Sequence, residues 1–142
     1  MFYLRDSGKW SHFCGGTIIN KWTIITAAHC YWQYGKDSFP RDFIWKHSRV
    51  IPGFHIIPPI STHIESFSEL NVTAHEIFQV YKINDYDSTG KTEHDLAIII
   101  LKTPITFNDN VKPIKLADEK TGLKGNFFFF ILALFAEIPF QT

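Results

Sequence analysis

Phe13-Cys14-Gly15-Gly16-Thr17-Ile18-Ile19-Asn20, followed after Lys21-Trp22 by Thr23-Ile24-Ile25-Thr26-Ala27-Ala28-His29-Cys30, decides how the rest of the chain is read. Two runs rich in Thr and Ile, joined at Asn20-Lys21, predict two strands and a turn, near residues 14–19 and 23–28. Gly15-Gly16 breaks the first run, and the second ends in short apolar residues. Upstream, Met1-Phe2-Tyr3-Leu4 reads as a strand entering a polar turn at Asp6-Ser7-Gly8-Lys9. No basic segment followed by an apolar one stands there, so no signal peptide is visible.

Downstream the strand signal returns twice. Glu76 to Lys82 reads as a strand through Ile77, Val80 and Tyr81. Leu96-Ala97-Ile98-Ile99-Ile100-Leu101 is a short, β-branched apolar run, which predicts a strand buried on both faces. Between them, Asn84 to Glu93 is a polar loop. Tyr31 to Thr73 is punctuated by Phe39-Pro40, Ile51-Pro52-Gly53 and Pro58-Pro59, which suit loops or edge strands and disfavour helix. Val111 to Leu116 closes the regular part. After Gly125-Asn126 the run Phe127 to Ala136 is wholly apolar. A spanning helix needs about 20 such residues, so this run gives no stable membrane anchor, and on a soluble domain it is an aggregation hazard.

The 142 residues suffice for one domain with a core and not for two full ones. Fourteen basic and fourteen acidic residues cancel, which argues against a nucleic-acid partner. Seven histidines are scattered, and His75-Glu76 lacks the second histidine of a zinc-protease motif because Gln79 stands in its place, so no metal site is expected. The two cysteines, Cys14 and Cys30, would be buried thiols in a cytosolic protein or one bridge in a secreted one; composition does not choose.

Thr26-Ala27-Ala28-His29-Cys30, joined to Cys14-Gly15-Gly16-Thr17-Ile18-Ile19-Asn20 at this distance, resembles the chymotrypsin/trypsin family of serine endopeptidases. A second match is Asp95-Leu96-Ala97-Ile98-Ile99-Ile100-Leu101, followed by Pro104-Ile105 and Val111-Lys112-Pro113-Ile114, with Tyr86 where the family often has a tyrosine. The resemblance covers about residues 2–118. It implies an all-β fold, the six-stranded Greek-key N-terminal barrel of the trypsin kind, over residues 1–119, with a divergent apolar tail over 120–142. It further implies that His29 is the general base, Asp95 the buried carboxylate that orients it, and Cys14–Cys30 a disulfide. Also implied are protein or peptide substrates, no cofactor, and an extracellular location, where Asn71-Val72-Thr73 would be a glycosylation acceptor.

These residue types suit acyl transfer. A serine hydroxyl becomes nucleophilic when a base removes its proton during attack. An imidazole with pKa near 6.5 does this at neutral pH and returns the proton to the leaving amine.

The departures concern function more than fold. No Gly-Asp-Ser-Gly-Gly nucleophile motif is present, and Asp6-Ser7-Gly8 lies before His29 in the wrong order and without the flanking glycines. In the family the oxyanion amides and the specificity pocket belong to the second barrel and go missing with it, and the family's Ile-Val-Gly-Gly activation start is absent as well. Trp22 is displaced by one position, and the 65 residues between His29 and Asp95 exceed the usual stretch, the excess falling in Arg41 to Thr73. One explanation covers these departures: part of a longer protease, starting at an internal methionine and ending in read-through sequence. Such a chain is expected to be inactive alone. The alternative is a truncated homologue kept as a binding or regulatory module.

Overall fold

The structure, a computed structural model, describes residues 1–4, 7–32, 45–54, 64–82 and 94–116. Among them are seven strands: β1 (Phe2–Leu4), β2 (Trp10–His12), β3 (Thr17–Asn20), β4 (Thr23–Thr26), β5 (Ser48–Val50), β6 (His75–Lys82) and β7 (Ala97–Leu101). Beside them stand one helical turn, α1 (His29–Trp32), and a 3-10 turn at Ser68–Leu70. The strands make one curled antiparallel sheet in the order β2-β1-β5-β6-β7-β4-β3. The all-β reading is borne out.

The hairpin β3–β4 forms where the Thr/Ile runs predict it, with Thr17 opposite Ile25 and the Asn20 side chain accepting a hydrogen bond from the Trp22 N–H at 2.8 Å. Both strands are shorter than expected: β3 begins only at Thr17, after the glycine pair, and β4 stops at Thr26. The backbone turns at Ala27 and Ala28, whose carbonyls accept hydrogen bonds from Cys30, Tyr31 and Trp32. Gly16 is needed at the start of β3 because a Cβ there would stand 2.7 Å from Ile24 Cγ2 and 3.1 Å from the Ile25 carbonyl oxygen.

Two expectations need correction. β7 is not buried on both faces: Ala97, Ile99 and Leu101 point into the core, while Ile98 is exposed and Ile100 half-buried. The pleat sends successive side chains to opposite sides, and only one side meets the core. Ile98 pairs with Tyr81 on β6 and Ile25 on β4, so an apolar row crosses the outer face. The expected six strands become seven among the described residues. β5, in the stretch read as loops or edge strands, is interior to the sheet, between β1 and β6.

The larger core gathers Cys14, Ile24, Ala28, Cys30, Tyr31, Val50, Ile77, Val80, Ile99 and Leu101. Tyr31 is almost fully enclosed, and burial pushes its hydroxyl above the usual phenol range. A second cluster of Phe2, Ile51, Ile64 and Phe67 sits under β1, with Trp10, Phe54, Val72 and Ala74 against it. Segment 111–116 returns alongside β3, where the Ile114 N–H donates to the Ile18 carbonyl at 2.8 Å. Tyr86, the Asn84–Glu93 loop, Phe39-Pro40, Pro58-Pro59 and the apolar run from Phe127 lie outside the described residues.

Candidate active site

Antiparallel pairing of β4 with β7 sets Thr26 opposite Ala97. His29 follows Thr26 by three residues and Asp95 precedes Ala97 by two, so both emerge at the same end of the sheet. The geometry there is tight. The His29 backbone N–H donates to Asp95 Oδ1 at 2.8 Å, and His29 Nδ1 lies 2.6 Å from Asp95 Oδ2. Each side chain keeps a quarter of its surface exposed, so the pair is shielded without being sealed.

Asp95 thus grips both the backbone and the ring of His29. A carboxylate accepts only, so Nδ1 carries the proton in this pair and the ring's basic lone pair falls on Nε2. That arrangement suits a general base: the tautomer is set, the ring cannot turn without losing its bond, and a carboxylate stands ready to stabilise the imidazolium.

The surroundings brace the histidine. Cys14 and Cys30 form a disulfide with Cα atoms 6.2 Å apart, fastening the residue after His29 to the strand entry. Thr26 Oγ1 donates to the Gly15 carbonyl at 2.8 Å, a second tie between the same segments. On the other side His94 adopts a left-handed backbone (φ 59°), and the Leu96 N–H donates to the His94 carbonyl at 2.7 Å. That tight turn presents Asp95. Nothing in the residue pattern marks His94 for this role, although histidine is among the residues that enter the left-handed region more readily than most.

Donor atoms of Cys14, His29 and Cys30 lie within 4.8 Å of one another, a grouping that would suit a metal if the cysteines were thiolates. The two sulfurs are bonded to each other instead. His75, the start of the incomplete zinc motif, is buried at the far end of β6, where its Nδ1 meets the Thr103 hydroxyl at 3.0 Å. Glu76 points outward to Arg49 at 3.1 Å and Lys102 at 2.7 Å, and these cations hold its carboxyl below the usual range. Ser7 is exposed in the turn before β2. Among the described residues, no helix is long and apolar enough to cross a membrane.

The trypsin family model matches residues 1–126, and the chain belongs to that family. Among curated proteins it is similar to coagulation factor IX of Oryctolagus cuniculus, 32% identical over 123 residues, which is 85% of this chain and 38% of the relative. It is also similar to coagulation factor IX of Cavia porcellus, 27% identical over 115 residues, covering 80% of this chain and 34% of that relative. The chain spans little more than a third of the length of these relatives.

Proposed function

We propose that this chain is the first half of a secreted serine endopeptidase, with His29 as general base and Asp95 as the carboxylate that orients it. The nucleophilic serine comes from sequence that these 142 residues do not contain. The observation that carries the reading is the double hold of Asp95 on His29, with contacts of 2.8 and 2.6 Å across a sequence separation of 66. In the complete enzyme the serine hydroxyl attacks the scissile carbonyl of a protein substrate while His29 Nε2 takes its proton. His29 then returns that proton to the leaving amine, and Asp95 stabilises the imidazolium between the two events. The Cys14–Cys30 bridge supports an oxidising, extracellular setting.

This chain alone does not turn over peptide substrates. Loss of the serine costs a triad about a millionfold in kcat, and the activity that survives such a loss depends on oxyanion donors and substrate contacts. Those belong to the second barrel.

Sequencing the transcript past the codon for Gly125 tests the proposal. A message that continues into a Gly-Asp-Ser-Gly-Gly segment supports it. A message that stops after Thr142 removes the endopeptidase reading and leaves a binding module, for which the outward row of Tyr81, Ile98 and Ile25 is the first surface to examine.

A further inference from the structure

Asn71-Val72-Thr73 is the sole Asn-X-Ser/Thr triplet in the sequence, and the proteolytic reading makes no use of it. It lies between β5 and β6, directly after the 3-10 turn Ser68–Leu70. Asn71 has a left-handed backbone (φ 50°, ψ 41°), and its N–H donates to the Ser68 carbonyl at 3.2 Å. Asparagine enters that region more easily than most residues, so the turn alone explains an asparagine at 71. It does not explain a hydroxyl at 73.

The packing sorts the triplet's side chains. Val72 and Ala74 lie against the cluster of Phe2, Ile51, Ile64 and Phe67, anchoring the turn from within. Asn71 and Thr73 are exposed. A bulky group on Asn71 therefore projects into solvent without displacing the core. The register places it far from His29. Ile77 near the start of β6 pairs with Leu101, and Lys82 at its end pairs with Ala97, beside Asp95. Asn71 precedes β6, so a strand of about 25 Å separates the two ends. The Cys14–Cys30 disulfide is the second, independent observation, since such bridges form in the oxidising lumen where N-glycans are added.

We propose that Asn71 carries an N-linked glycan at the end of the sheet remote from the His29–Asp95 pair. The Asn71 amide nitrogen bonds to C1 of a lipid-diphosphate-linked oligosaccharide. The C1–O bond to the diphosphate breaks, the lipid diphosphate departs with the electron pair, and one amide proton passes to the solvent. This requires only passage through the secretory pathway and does not rest on the proteolytic reading.

The full chain, produced behind a cleavable secretion signal in a eukaryotic host, is denatured and treated with peptide-N-glycosidase F. The expected result is a single downward mobility step, with Asn71 converted to aspartate in the peptide spectrum. Thr73→Ala, which keeps the asparagine the turn needs, abolishes the step, and Thr73→Ser retains it. Because the readout is made on denatured protein, a folding failure does not obscure it. An unshifted wild-type chain, or a step that survives Thr73→Ala, overturns the proposal, and neither outcome bears on protease activity.

Discussion

Gly16 has no side chain because Ile24 and the Ile25 carbonyl occupy the space one would fill. Gly16→Ala should cost about 1–3 kcal/mol, the usual penalty for forcing a methyl into a packed site, read as a lower denaturant midpoint. His12 and His75 make a different prediction. Burial, reinforced by the nearby Met1 ammonium and opposed by a hydrogen bond with the Cys14 backbone, lowers His12 to about 4. Burial also lowers His75, against an opposing bond with the Thr103 backbone. Both groups are held neutral in the fold, while the unfolded chain takes up protons near pH 6.5. Between pH 6.5 and about 4 the unfolded state binds more protons at these two histidines, so their contribution to stability is full above that window and falls as the pH drops through it, in the same direction as that of the buried Met1 amine, lowered from 8.0 to about 5. The urea midpoint at pH 5 should lie below that at pH 7, and His12→Gln should flatten the difference.

At the scale of elements, the hairpin β3–β4 was legible because its signals are local: β-branched runs, a glycine pair and an Asn-Lys turn in one stretch. β5 was not, because Ser48-Arg49-Val50 carries no strong strand pattern and owes its place to β1 and β6 on either side. The true exposure of β7 was hidden for a related reason. An unbroken apolar run does not reveal which side faces a core, and the outward Ile98 is matched by apolar neighbours rather than polar ones. The meeting of His29 with Asp95 spans 66 residues and could be anticipated only through family resemblance; the pairing of β4 with β7 is what creates it. Two changes test these elements. Removing the Cys14–Cys30 bridge by paired serine substitution should cost about 3 kcal/mol, as expected for a loop of this length. Ile99→Ala, at a position with no exposed surface, should cost about 2–5 kcal/mol, read by thermal or chemical unfolding.

At the scale of the molecule, the chain is a curled sheet that brings a histidine and an aspartate together at one end. Its packing needs none of the chemistry, since the residues that hold the sheet are Ile24, Val80, Ile99 and Leu101 rather than the polar pair. In the proposed function these two residues are the base and its orienter. The proposed enzyme adds the nucleophile, the oxyanion donors and the substrate pocket from the remainder of a longer protein. The most direct measurement is the kcat of that complete protein with Asp95→Asn. An asparagine keeps the shape but donates where the carboxylate accepted, which turns His29 to the wrong tautomer. The account predicts a fall of about 10⁴-fold, the loss seen when this carboxylate is replaced in a trypsin-type triad. A variant within a few-fold of the wild type would contradict it, because His29 would then act without Asp95.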